Sequence, residues 1–234
     1  MQKTHTSPFI QAVQVSKRYP GAVKPVLEDV NLQVQRGEFL AILGRSGSGK
    51  STLLNTLSSL VLPDSGSIYM EGTDICKVKE KERNRLRSHT FAMVFQQHHL
   101  LPYLTALENV LLPFMGGLGH VTKAQRQAAL DMLENVGLQG KENSRPGTLS
   151  GGEQQRVAIA RALARGAKVL FADEPTGSLD SVTGDAIMQL LHSLNKQGVT
   201  VIMVSHNPEY ARQAQRMVTM QDGRIVGIAH APNE

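Results

Sequence analysis

One stretch constrains the chain more than any other: Phe39–Leu43 running directly into Gly44-Arg45-Ser46-Gly47-Ser48-Gly49-Lys50-Ser51. A run that is apolar on both faces suits a strand in the middle of a parallel sheet, covered by helices on each side. The eight residues after it match G-x-x-x-x-G-K-[ST] at every fixed position. Their three glycines let backbone N–H groups turn inward around an anion without Cβ clashes. Leu53, Leu54, Leu57 and Leu60 then share one helical stripe, so a helix opening at Lys50 aims its positive end at the same anion. Gly44 to Thr52 (Gly44, Arg45, Ser46, Gly47, Ser48, Gly49, Lys50, Ser51 and Thr52) is the candidate phosphate cradle. Lys50 offers a point charge to a polyphosphate, and the Ser51 hydroxyl offers an oxygen to Mg2+.

Two further runs, Val169–Ala172 and Val199–Val204, are also apolar on both faces. Ligands of parallel sheets sit at the carboxyl ends of the strands, so the residues next after these runs arrive beside the cradle. Asp173 can hold Mg2+ directly or through water, and Glu174 can polarise an attacking water. His206 can donate a hydrogen bond to a γ-phosphate. Gln96, after the strand Phe91–Phe95, can reach the metal or the water. Each alone is an ordinary loop residue; together at one sheet edge they form a site. His98 and His99 are adjacent, point different ways and lack the i, i+4 spacing of a zinc pair.

The 234 residues suffice for one or two domains without a metal or disulfide staple. Cys76 is the only cysteine, which excludes an intramolecular disulfide and fits a reducing compartment. Met1 to Pro8 lacks the apolar region of a signal peptide. The longest apolar runs are too short to cross a bilayer. The net charge of +5 could favour nucleic acid, anionic lipid or a phosphorylated ligand, and suits a plain solvated surface as well; with the motifs of this chain, no nucleic-acid partner is expected. Phe9–Val15 and Val26–Val34 alternate and read as a flanking antiparallel sheet, with Ser67–Met70 a further strand. Lys77–Arg87 reads as a solvated helix face, and Ala186, Ile187, Leu190, Leu191 and Leu194 mark a helix after Asp180. Between Leu104 and Ala167 the strand signal vanishes, which predicts an inserted helical subdomain broken at Gly116, Gly117 and Gly119.

A phosphate loop with an acidic strand still admits a kinase, a GTPase, a helicase or a motor. Leu149-Ser150-Gly151-Gly152-Glu153-Gln154-Gln155 narrows the choice. Ser-Gly-Gly opening a helix makes a second anion-facing N-terminus. Two such surfaces on one chain make sense if two copies pair head to tail.

With these motifs in this order, the chain resembles the ATP-binding cassette (ABC) ATPases from Tyr19 to about Gly227. The resemblance implies an α/β P-loop NTPase core with a mostly parallel central sheet, a flanking antiparallel β subdomain and an inserted helical subdomain. It implies a single cassette over 1–234, with the core at about 1–96 and 168–234 and the helical part at about 97–167. It assigns Gly44–Ser51 to Walker A, Gln96 to the Q-loop, and Leu149–Gln154, with Ser150, Gly151, Gly152 and Glu153 facing the nucleotide, to the signature motif. Asp173 and Glu174 fall to Walker B and the catalytic glutamate, Ser178-Leu179-Asp180 to the D-loop, and His206 to the switch. Tyr19 stands where the family stacks an aromatic on adenine. The implied cofactors are ATP and Mg2+. The implied partners are a second copy and a membrane permease, at the cytoplasmic face of the inner membrane. Phe95-Gln96-Gln97, Leu100-Leu101-Pro102 and Leu104–Val110 are similar to a subgroup of lipoprotein-releasing, macrolide-exporting and cell-division ATPases. Glu174–Asp180 fits that subgroup too, although many members carry Asn at the place of Ser178. That subgroup implies export or mechanical work outside the cytoplasm. A permease-free ATPase, as in iron–sulfur cluster assembly, is the alternative.

Overall fold

The computed structural model describes residues 7–115 and 120–231, so Gly116, Gly117 and Gly119 lie outside the described residues. Strands β1 (Ile10–Lys17), β2 (Leu27–Val34), β4 (Ser65–Met70) and β5 (Thr73–Asp74) form an antiparallel sheet in the order β2-β1-β4-β5. Strands β3 (Phe39–Gly44), β6 (Phe91–Val94), β7 (Val169–Asp173), β8 (Thr200–Ser205), β9 (Arg216–Gln221) and β10 (Arg224–His230) form the second sheet, ordered β10-β9-β3-β8-β7-β6. All neighbours in it are parallel except β10 against β9. The three strands expected to be covered on both faces, β3, β8 and β7, are indeed its inner neighbours.

Their side chains alternate between two cores, as the period of two demands. Phe39, Ala41, Leu170, Ala172, Val201 and Met203 face one hydrophobic cluster. Leu40, Ile42, Val169, Phe171, Ile202 and Val204 face the other. The second cluster is closed by the antiparallel sheet and by helix α1 (Lys50–Leu57). The first is closed by helices α3 (Ala106–Leu111), α4 (Lys123–Asn135), α5 (Gly151–Leu163), α6 (Ser181–Lys196) and α7 (Pro208–Ala211). Helix α2 (Glu80–Thr90) buries no residue, in line with the solvated face expected there. Its Arg87 nevertheless reaches Ser59 O at 2.7 Å, and Arg83 and Arg87 both pair with Glu80.

One expectation needs correction, and one hairpin is new. The stripe that included Leu60 is one turn too long, because α1 ends at Leu57 and Leu60 is half exposed. Ser59 adopts φ +59°, its N–H bonds to Thr56 O at 3.0 Å, and Leu60 N–H bonds to Asn55 O at 2.9 Å. That is a Schellman ending built on serine instead of the usual glycine, so no punctuation marks it in the sequence. The strands β9 and β10 were not foreseen. They join through Asp222 (φ +47°) and Gly223 (φ +78°), a two-residue turn with both φ values positive.

Candidate functional site

The parallel register sets the carboxyl ends of three strands side by side, with Leu43 opposite Ser205 and Asp173 opposite Val204. The phosphate loop leaves the first of these ends. Gly47 and Gly49 take φ +78° and +98°, and a Cβ at Gly49 would sit 2.5 Å from Val26 O. Gly44 is needed for a different reason: a Cβ there would strike Met220 O and Ser48 Oγ. Lys50 is only 6% exposed, and its ammonium donates to Arg45 O at 3.0 Å. The Ser48 hydroxyl is buried without a partner among the described residues. A buried cation and an unsatisfied hydroxyl in a loop of upturned backbone are what an anion would complete.

The Ser51 hydroxyl donates to Asp173 Oδ1 at 3.0 Å, joining the loop to the acidic strand across 122 residues of sequence. Burial pushes the Asp173 carboxyl above its ordinary value; the Ser51 bond opposes this, neighbouring Glu174 adds to it, and Lys50 opposes it. Both Ser51 and Asp173 present hard oxygen atoms, the donor set that suits Mg2+. Glu174 carries φ +49°, a left-handed conformation uncommon for a residue other than glycine. Its backbone N–H is fixed on Val204 O at 3.0 Å, and its Oε2 lies 3.1 Å from Nδ1 of His206. A cleft of about 740 Å3 opens beside Gly44, Arg45, Ser46, Gly47 and Ser48, with His206 on its wall. The same cleft is walled by Thr219–Asp222 at the end of β9, which sequence reasoning missed along with the strand. The Asp222-Gly223 pair between alternating runs was the available signal.

The remaining candidates are not gathered into that cleft. Tyr19 is 38% exposed on the loop between Lys17 and Val26, which is closed by Val26 N–H on Lys17 O at 2.7 Å. Since Val26 O abuts Gly49, this loop runs beside the phosphate cradle without Tyr19 lining it. Thr52 contributes its carbonyl to the Thr56 hydroxyl at 2.6 Å. Gln96 lies two residues beyond β6, exposed, with its amide nitrogen 3.0 Å from where a Cβ of Gly177 would be. Its side chain makes no hydrogen bond to Ser51 or Asp173. Ser150 and Glu153 close a reciprocal cap on α5: Ser150 Oγ accepts from Glu153 N–H at 3.2 Å, and Glu153 Oε2 accepts from Ser150 N–H at 2.8 Å. Gly151 approaches Leu179, and a Cβ on Gly152 would collide with Thr183. The motif is thus packed on the start of α6, with Ser150 itself exposed.

Residues 27–177 match the family described as ABC transporter. The chain belongs to that family. It is 47% identical over 94% of its length to a macrolide export ATP-binding/permease protein of Paracoccus denitrificans, and spans about a third (33%) of that relative. It is also 47% identical to an uncharacterised ABC transporter ATP-binding protein of Methanocaldococcus jannaschii, covering 94% of this chain and 99% of that one. Among solved structures, the dimeric, post-hydrolysis ATP-binding cassette MJ0796 bound to ADP and Pi superimposes with TM-score 0.85 at 39% identity, covering 96% of this chain and all of that one. The chain is therefore an ATP-binding, ATP-hydrolysing ABC cassette, similar over nearly its whole length to one third of a macrolide export ATP-binding/permease protein. No helix of its described residues is long and apolar enough to cross a membrane.

Proposed function

We propose that two copies of the chain close head to tail over two Mg·ATP and so drive a membrane permease. The observation that carries the reading is the second phosphate-facing loop. Ser150 tops α5 with its N-terminus capped and exposed, yet it does not line the cleft of its own chain. A second copy facing it supplies the phosphate it lacks. The MJ0796 cassette, 39% identical, is dimeric.

In this reading Lys50 and the loop N–H groups hold the β- and γ-phosphates, and Lys50 gives up its bond to Arg45 O to do so. Ser51 and Asp173 hold Mg2+, whose chemistry is to offset phosphate charge. Gln96 joins them by moving off Gly177. Glu174 accepts a proton from water, and His206, already against it, donates to the γ-phosphate. Tyr19 stacks on the base, and Ser150, Gly151, Gly152 and Glu153 of the other copy close over the phosphate.

The permease contact falls on the segment after Gln96. Arg161 of α5 holds the carbonyls of His99 and His98 at 2.7 and 2.9 Å. Asn109, fully buried, accepts from Leu101 N–H and donates to the carbonyls of Leu101, Leu104 and Thr105. This knot leaves Tyr103 87% exposed on a fixed loop. A rigidly presented aromatic suits a protein partner. The relatives that carry a permease in the same chain support work at the cytoplasmic face of a membrane, directed to export or to mechanical work outside the cytoplasm.

Glu174→Gln tests the sandwich. Hydrolysis is expected to fall by about 10²–10⁴-fold, the range for loss of a general base, while ATP binding persists and the variant elutes as a dimer with Mg·ATP. An elution position that stays monomeric at saturating Mg·ATP would refute it.

A further inference from the structure

A second cavity, about 240 Å3, lies behind the site, walled by Glu174, Leu179, Ser181, His206 and Tyr210. Tyr210 is its structural pivot. It sits on α7, four residues after His206, and is buried in the helical-side core. Helix α7 is rigidly tied to the His206 turn: Asn207 N–H donates to Ser205 Oγ at 3.0 Å, and Asn207 Oδ1 accepts from Glu209 N–H at 2.8 Å. From there the Tyr210 ring crosses to α6. Its hydroxyl donates to Ser181 O at 3.4 Å, and its tip occupies the space a Cβ of Gly184 would need. Burial and the neighbouring Asp185 push the hydroxyl's pKa up, so it stays a donor.

The same helix end and the loop that leads into it make four other contacts. Asp180 caps it through Thr183 N–H at 2.9 Å and the Thr183 hydroxyl at 2.7 Å. Thr183 fills the space beside Gly152, and Leu179 lies against Gly151. Gly177 N–H returns to Glu174 O at 3.0 Å. The first turn of α6 therefore touches the His206 helix and the Ser150 helix, while the loop leading into it from Glu174 folds back on the acidic strand end. Direct side-chain contacts of this kind transmit displacement from one helix to the next.

We propose that Tyr210 is a positioning residue that couples the His206 turn beside the phosphate cleft to the Ser150 loop of the same chain. His206 moves with α7; Tyr210 carries that motion to Ser181 and Gly184; Thr183 passes it to Gly152 and hence to Ser150. Ser150 serves the nucleotide of the other copy, so occupancy of one site sets the readiness of the other. This rests on the head-to-tail reading above and names the side chain through which its two sites communicate.

The test is a double-mutant cycle in the full chain. Gly184→Ala drives a methyl into the Tyr210 hydroxyl, with the ring carbon that bears it 3.2 Å away. It should lower kcat by about 10-fold, leave the KM for ATP within about 2-fold, and bring the Hill coefficient for ATP to about 1. Tyr210→Phe removes the hydroxyl alone and should lower kcat by about 2- to 3-fold with the same loss of cooperativity. Combined, Phe removes the hydroxyl clash and leaves a tight ring contact that a shift of a few tenths of an ångström relieves, so kcat should return toward the Tyr210→Phe level. ADP affinity and melting temperature report whether each variant is folded. Single variants with parental kcat and Hill coefficient, or a double variant as slow as Gly184→Ala, would overturn the proposal. Both variants are also made in the Glu174→Gln background. No ATP-driven dimer with Glu174→Gln alone would mean that the sandwich itself fails; a normal dimer with unchanged kinetics in the single variants would mean that only Tyr210's role fails.

Discussion

Asp173 carries a cost that the protein meets only when ligand is present. Its carboxyl is pushed up chiefly by burial, with Glu174 adding repulsion and Ser51 and Lys50 offsetting part of it. A folded-state pKa above the unfolded one means that stability is fullest below the unfolded value and declines as pH rises through the folded value. Asp173→Asn, which removes the charge and keeps the shape, should therefore raise the ligand-free melting temperature at pH 7–8, by the order of 2 °C. The gain should shrink toward pH 3, where the parent carboxyl is itself protonated, while ATP hydrolysis is lost. Melting curves of both proteins across pH 3–8 measure it; a parent more stable than Asp173→Asn at neutral pH would refute the burial account. At this scale the sequence was informative because motif residues come directly after strand ends. Ser51 lies 3.0 Å from Asp173, and Glu174 lies 3.1 Å from His206, a pairing that the sequence did not point to. Tyr210 and Thr183 were not legible, because each acts through the missing Cβ of a glycine on another element.

Among the elements, helices were read by their stripes but held by their ends. Thr105 with Glu108, Thr122 with Gln125, and Ser150 with Glu153 form three reciprocal caps on α3, α4 and α5. The third differs because its serine is also the proposed phosphate contact. Replacing it separates the two duties. Ser150→Ala loses a cap, worth about 1 kcal/mol and some 2–4 °C in melting temperature. Ser150→Asp keeps an equivalent cap and adds a favourable charge at the helix N-terminus, yet sets a negative charge toward a phosphate. It should melt within about 2 °C of the parent and fail to dimerise with Mg·ATP. A Ser150→Asp protein that dimerises normally on a sizing column removes the phosphate role. The elements that escaped the sequence share a physical feature. The end of α1 uses a left-handed serine, and the β9–β10 hairpin turns on two residues after strands whose faces are unequally covered. Periodicity is weak in β10, whose residues are mostly exposed at the sheet edge.

Across the whole molecule, the six-stranded sheet is the shared floor of both cores, so the boundary drawn at about 97–167 is one of sequence more than of packing. The core on the helical side joins Leu107, Leu133 and Ile159 to Phe39, Leu170 and Val201 of the sheet without a break. Those strands present their alternate residues to the opposite core. Loosening one face thus removes support from strands that the other face needs. The ligand-free protein is accordingly expected to melt in one calorimetric transition despite its length. Leu133→Ala, at a fully buried site on α4, should move that single transition down, its cost about 2–5 kcal/mol. A helical unit that melted independently would instead split the trace, with Leu133→Ala shifting only one of two peaks. One transition also constrains the coupling through α6. A displacement at His206 can reach Ser150 only if the helices between them stay docked on the sheet, and docking of that kind is what a single peak measures.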